Sequence, residues 1–82
     1  MLHENTIIFL YEVAMEKYVD ERIKSDCTFT RGYSAGVYNT YCLFMEDIFT
    51  KEEYKEIQQR AIWKIAKKLN ISDLSIIYDI IK

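Results

Sequence analysis

The side chains that could carry out chemistry are few in this chain and lie far apart along it. His3 is the only histidine, and the two cysteines are Cys27 and Cys42. A catalytic histidine or cysteine needs a positioned partner, and a structural zinc site needs four ligands at defined spacing. The carboxylates of Glu46-Asp47 occupy adjacent positions, which point about 100° apart on a helix. The sequence therefore predicts a protein that is not an enzyme and holds no metal and no cofactor.

The composition is typical of one small helical domain. Of the 82 residues, 50% are apolar and 29% charged, with a formal charge of −2, no proline and two glycines. So few turn residues do not fit a β-sandwich or barrel, and the charge gives no general attraction to nucleic acid. No window of about 18 apolar residues could cross a membrane. The first residues lack the pattern of a signal peptide, so we expect a cytoplasmic protein whose cysteines are small buried hydrophobic residues.

Hydrophobic periodicity predicts the elements that must position any functional side chain. In the first helix, Ile7, Tyr11, Met15 and Val19 recur at helical spacing on one face. The second helix has the widest apolar stripe, so we expect it to be the most buried. The predicted fold is a compact, all-α, four-helix domain with helices over about residues 4–24, 31–48, 51–69 and 73–81.

Capping signals set the predicted boundaries of these helices. Thr50 and Glu53 have the spacing of a capping box, with Phe49 and Tyr54 as a hydrophobic staple. Asn70 is a suitable left-handed terminator, and Ser72 is the predicted N-cap of the fourth helix. Residues 25–30 have no helical period, so we predict a loop there, with Thr28 or Thr30 capping the second helix.

Two glycines within the second helix need an explanation, because glycine destabilises a helix interior by about 1 kcal/mol relative to alanine. Gly32 and Gly36 lie one turn apart on the side opposite the apolar stripe. This spacing predicts a close approach of another backbone. A helix that is apolar on both sides is either central in the fold or meets something outside its own chain, and both possibilities remain open.

An acidic ladder lies along the first helix. Glu12, Glu16 and Asp20 recur every fourth residue and share a face with Phe9 and Val13. The simpler interpretation is a solvated helix face, with Lys24 paired to Asp20 and Lys17 to Glu21. The interleaved apolar side chains favour a second interpretation, in which this face docks on a basic surface of a partner.

The chain has more large apolar side chains than one small core can bury. Trp63, the only tryptophan, lies off the apolar stripe of the third helix, and we expect the protein's own fold to cover it. If exposed, a tryptophan beside Arg60 has the composition of a binding hot spot. The surplus predicts a homodimer or partner interface, formed by some of the residues Leu10, Gly32, Gly36, Trp63, Ile76 and Ile80.

Residues 65–76 resemble the helix-turn-helix of bacterial regulators. Ala66 stands at the small position, Asn70 where glycine usually lies, and Ile76 at the packing position after the turn. This resemblance implies DNA binding, with the phosphate backbone gripped by Arg60, Lys64, Lys67 and Lys68. The outward residues of the would-be recognition helix include Asp73 and Asp79, which would repel phosphates. DNA binding is therefore the alternative function.

A second resemblance covers the layout of two helices joined by a capped turn, from Arg31-Gly32-Tyr33 through Gly36 to Phe49-Thr50 and Glu53-Tyr54. With its size and composition, the chain resembles small helical accessory proteins of phages and mobile elements from AT-rich Gram-positive hosts, including anti-CRISPR inhibitors. The resemblance implies a non-catalytic, protein-binding inhibitor of a larger, nucleic-acid-binding complex. A structural subunit of a larger assembly is the second alternative.

Overall fold

The computed structural model describes the backbone of residues 3–24 and 28–81 and their side chains, except those of residues 28–31. This part of the chain folds into four α-helices and contains no strand. The radius of gyration is 12.5 Å, close to the roughly 12 Å expected of a compact domain of this length. The predicted all-α, four-helix fold is confirmed. The helices are α1 (Glu4–Lys24), α2 (Thr28–Ile48), α3 (Lys51–Leu69) and α4 (Leu74–Ile81).

Helix α2 begins three residues earlier than predicted. The segment from Thr28 to Thr30, expected to be loop, is helical, because it contains no proline or glycine to break the hydrogen-bond ladder. Thr30 therefore lies inside the helix and cannot be its N-cap. The other residues of the predicted loop, 25–27, lie outside the described residues, and Cys27 is among them.

The predicted ends of α3 are confirmed. The Thr50 hydroxyl accepts a hydrogen bond from the Glu53 amide at 3.1 Å, and the Glu53 carboxylate accepts one from the Thr50 amide at 2.9 Å. At the other end, Asn70 adopts the left-handed conformation (φ 57°, ψ 41°), and its amide donates to the Ala66 carbonyl. Phe49 and Tyr54 are both half-buried against the core.

Helix α4 is capped by Asp73 and not by Ser72 as predicted. The Asp73 carboxylate accepts hydrogen bonds from the Ser75 amide at 3.0 Å and the Ser75 hydroxyl at 2.8 Å. Both bonds hold the pKa of the Asp73 carboxyl below its ordinary value. The helix begins at Leu74, so Asp73 immediately precedes it, and the side chain one position earlier is too far back for this geometry. The Tyr18 hydroxyl donates to the Ile80 carbonyl at 3.1 Å and fixes α4 to α1.

The core lies between α1 and α3, with contributions from α2 and α4. Three tyrosines are its most distinctive part: Tyr11 stacks on Tyr38 with ring centroids 5.8 Å apart and meets the edge of Tyr54 at 5.7 Å. Burial raises the pKa of all three phenols. The buried apolar residues are Ile7, Tyr11, Ala14, Met15, Val19, Tyr38, Met45, Ile57, Ala61, Ile62, Ile65, Ala66 and Ile77.

Two predictions about the second helix are wrong. Among the described side chains, α1 and α3 each bury more residues than α2, which packs mainly on α1, touches α3 little and does not contact α4. The helix is therefore peripheral, and its second apolar side faces solvent. The predicted close backbone approach is also absent within the chain, because a Cβ placed on Gly32 or Gly36 would meet nothing within 4 Å.

Candidate protein-binding surfaces

The acidic ladder of α1 faces α3 and is neutralised by it. The Glu12 carboxylate lies 3.0 Å from the Lys64 ammonium, and the Glu16 carboxylate lies 3.1 Å from that of Lys68. Both pairs advance by four residues, so α1 and α3 run in the same direction. The Glu12 side chain is only 19% exposed, which makes this the better shielded pair. The ladder is therefore a bridge between two helices.

The last carboxylate of the ladder is paired within α1 itself. The Asp20 carboxylate lies 3.0 Å from the Lys24 ammonium, as predicted. The three carboxylates thus each have a lysine partner in the same chain. Each carboxylate of the row therefore has a positive counter-charge close to it.

Apolar side chains border these ion pairs and remain open to solvent. Phe9 is 60% exposed and Val13 is about half exposed. Together with the ion-paired residues they line a shallow groove of about 290 Å³. We call this groove the α1/α3 face; it is formed by Phe9, Glu12, Val13, Glu16, Ala61, Lys64, Ile65 and Lys68.

Trp63 is exposed, and the prediction that the protein's own fold covers it is wrong. Its side chain is 68% exposed on the outer side of α3, beside Arg60 and Lys64. The buried residues Ala61, Ile62 and Ile65 define the inner side of the helix, and position 63 points away from all of them. Because Lys64 also lines the groove, the tryptophan lies next to the α1/α3 face.

The other predicted interface residues fall into two groups. Gly32 and Gly36 on α2 and Ile76 on α4 are exposed. Leu10 is half-buried, and Ile80 packs against the core, so the expectation that Ile80 is surplus to the core is wrong. Since its carbonyl also accepts from Tyr18, Ile80 has a structural role within the chain.

The sequence assigned the wide apolar stripe of α2 to the core and left the role of its second apolar side open, but large residues from both sides are exposed. Tyr33 is 64% and Leu43 63% exposed, and Phe44 and Ile48 are each nearly half exposed. Residues 32–45 contain no charged side chain, which is unusual for a solvent-facing helix and was the available signal. We call this surface the α2 outer face; it is formed by Tyr33, Gly36, Val37, Thr40, Leu43, Phe44 and Ile48.

Among the described residues, the reactive groups do not converge. His3 is exposed just before α1, and Cys42 is a half-buried free thiol packed on the core. Among the described residues, no group of three histidine, cysteine or acidic side chains could hold a metal ion. A depression of about 480 Å³ at the α2–α3 corner is lined partly by Tyr54, and burial raises the pKa of this phenol above its ordinary value.

The helix-turn-helix resemblance lies at the junction of α3 and α4. Two of the four predicted phosphate-binding cations, Lys64 and Lys68, are the ones paired with Glu12 and Glu16. Arg60 and Lys67 are exposed. The carboxylate of Asp73 lies at the start of the short second helix, and Asp79 is exposed further along it.

No helix in the described part of the chain combines the length and the hydropathy needed to cross a membrane. Comparisons with models of known protein families, with curated proteins and with solved structures found no match to the chain. Any functional conclusion therefore depends on the surfaces described above.

Proposed function

We propose that this protein is a non-catalytic binding protein that acts by occupying the surface of a larger macromolecular complex. The exposure of Trp63 is the observation that carries the proposal. Isolated exposed leucines are ordinary, but a largely exposed tryptophan beside an arginine is the composition at which binding energy concentrates in protein interfaces. We call the set Phe9, Val13, Arg60 and Trp63 the partner surface.

The chemistry of the partner surface favours a protein over a nucleic acid. Its contacts to a partner would come from three apolar side chains and one guanidinium, while the adjacent lysines are engaged by glutamates. Nucleic-acid interfaces depend instead on several cations free to meet phosphates. A protein partner with an apolar pocket and an acidic rim fits the partner surface best.

We infer the mode of action from the described part of the chain, in which the reactive groups lie apart. A protein of this size that binds without chemistry changes its partner's activity by blocking a site or by holding one conformation. Inhibition of a host defence nuclease is the version of this function that the resemblance to phage accessory proteins implies. Adding the purified protein to such a nuclease and measuring DNA cleavage tests that version separately from binding.

The binding proposal is tested by affinity capture from cells of the source organism. The immobilised wild-type protein should retain a partner that the variants Trp63→Ala and Phe9→Ser lose, each by about 30-fold in affinity, the effect of removing a hot-spot residue. Tyr78→Ser, which removes another exposed aromatic ring on α4, is the matched control and should retain the partner.

Circular dichroism must show that all three variants keep the helical content of the wild type. A partner retained equally by wild type, Trp63→Ala and Phe9→Ser would contradict the proposed surface. A wild-type chain that precipitates unless a second protein is co-expressed would favour the structural-subunit alternative instead.

A further inference from the structure

The α2 outer face is a second surface that the proposed partner surface does not use. Its large side chains project between positions 33 and 48, a span of about 22 Å along the helix. The only hydroxyl at its centre is already satisfied, because Thr40 donates to the Gly36 carbonyl at 2.9 Å. The centre of the face therefore offers neither a charge nor an unsatisfied polar side chain to water.

The spacing of this face is that of a helix covered by one other helix. Positions 33, 36, 40, 43 and 47 follow the alternating three- and four-residue steps of a heptad repeat, with Val37, Phe44 and Ile48 beside them. Asp47 at the end is the only charged residue in the series. One partner helix lying along α2 would cover the whole exposed stripe.

The same face supplies both the projections and the recess that such packing needs. Two copies of α2 can run antiparallel around a two-fold axis at Thr40. The residue numbers of two positions that face each other across this axis then add up to 80. Phe44 of one copy then meets Gly36 of the other, and Val37 meets Leu43. Gly36 has open space around its Cα, so the Phe44 ring can enter there. An isologous interface requires this reciprocity.

Charge and area also favour a second copy. Because residues 32–45 carry no charge, two copies that meet through this part of the face bring no like charges opposite each other there. Taking roughly 200 Å² for a large side chain, the four most exposed residues contribute about 400 Å² per copy. With Val37 and the glycine backbone, two copies approach the ~1,200 Å² at the lower end of stable interfaces.

We propose that the α2 outer face joins two copies of this chain into an antiparallel dimer centred on Thr40, with Phe44 of each copy seated over Gly36 of the other. The arrangement also places the Tyr33 hydroxyl near the carboxylate of Asp47 in the second copy. Because this area is at the lower limit for a stable interface, we expect weak association that needs high protein concentrations to be detected. The partner surface on α1 and α3 stays accessible, so each dimer presents it twice.

Sedimentation equilibrium of wild type, Gly36→Leu and Asn39→Leu tests the interface. Gly36→Leu fills the recess and should weaken the dimer at least tenfold, although the monomer gains helix propensity from the loss of a glycine. Asn39→Leu adds the same side chain to an exposed position off the face and should leave the dimer intact. A wild type that stays monomeric at high micromolar concentration, or a dimer indifferent to Gly36→Leu, overturns the proposal.

Cysteine cross-linking tests the orientation in a background where Cys27 and Cys42 are replaced by alanine. Oxidation of a mixture of Gly36→Cys and Phe44→Cys chains should join position 36 to position 44. Links of 36 to 36 and of 44 to 44 would indicate a parallel dimer and overturn the antiparallel arrangement. Because Trp63→Ala leaves α2 untouched, it should dimerise normally, so a failure of the dimer and a failure of partner binding are distinguishable.

Discussion

The α1/α3 face and the α2 outer face both present large apolar side chains to solvent, but only the first is lined with charges. Phe9 and Val13 lie beside the Glu12–Lys64 and Glu16–Lys68 pairs. The α2 outer face has no charge between residues 32 and 45. A charged border specifies orientation toward a different protein, whereas an uncharged, self-complementary stripe serves a second copy. The difference suggests two interfaces with two kinds of occupant.

Both surfaces depend on one tyrosine core, so alkaline pH should remove them together. The phenols of Tyr11, Tyr38 and Tyr54 have pKa values raised above the ordinary 10.0 by burial. The folded state therefore holds these protons more tightly than the unfolded state. Their contribution to stability is complete below pH 10 and is lost as the pH rises above it. Helical circular dichroism and the share of tyrosinate absorbance that comes from these three phenols should change together above pH 10.

The variant Tyr11→Phe sharpens this test. The Tyr11 hydroxyl is buried and has no hydrogen-bond partner among the described residues, so its removal should shift the alkaline midpoint upward. Tyr78→Phe, which removes an exposed phenol on α4, is the control. Ionisation of more than the four tyrosines outside the cluster before any loss of helix would show that the cluster is accessible in the folded protein.

Single acidic substitutions should separate the two surfaces. Phe44→Asp puts a charge into the α2 outer face and should weaken self-association by about 100-fold, while capture of the partner stays unchanged. Trp63→Asp should weaken capture of the partner and leave self-association unchanged. Sedimentation and quantitative capture on the same two preparations provide the measurement. If either variant abolishes both activities while remaining folded, the surfaces are not independent.

Salt should have a smaller effect, which differs between partner binding and self-association. Partner binding next to the ion pairs should weaken several-fold between ~50 mM and ~500 mM salt, because screening lengths fall from about 14 Å to about 4 Å over this range. Self-association through the uncharged α2 outer face should change by less than about twofold over the same range. A dimer that dissociates with salt would show that charges outside α2 hold it together.

The smallest effect concerns the ion pairs themselves. Lys64→Ala leaves the largely shielded Glu12 carboxylate without its partner and should lower the free energy of unfolding by about 1 kcal/mol. Lys24→Ala, which leaves the more exposed Asp20, should cost less than about 0.5 kcal/mol. Urea denaturation at neutral pH compares them. Equal losses of unfolding free energy would mean that the Glu12–Lys64 pair between α1 and α3 stabilises the fold no more than the Asp20–Lys24 pair within α1.

Local signals in the sequence predicted the helices well because they act over three or four residues. Thr50, Glu53 and Asn70 determine the ends of α3 without help from the rest of the fold. At α4 the same reasoning chose Ser72, since serine and aspartate are equally good caps and adjacent candidates cannot be ranked from the sequence. The early start of α2 was not predicted because residues 28–30 show no helical period of apolar side chains.

The surfaces were harder to predict because they depend on which helices meet. The pairing of Glu12 with Lys64 requires α1 and α3 to lie side by side, so the acidic ladder looked free in the sequence. For Trp63, helical periodicity indicated solvent, but the expectation that small domains bury their aromatic rings outweighed it, wrongly. On α2, the wide apolar stripe predicted burial, whereas α1 covers only one side of it.

The most direct test of partner binding uses Trp63 as its own reporter, because it is the only tryptophan. In the isolated protein, the Trp63 fluorescence should be red-shifted and readily quenched by acrylamide. This should hold at protein concentrations both above and below the one at which the dimer forms. Titration with the captured partner should shift the emission to the blue and protect it from acrylamide. A ring that stays fully quenchable in the saturated complex would contradict the proposed partner surface.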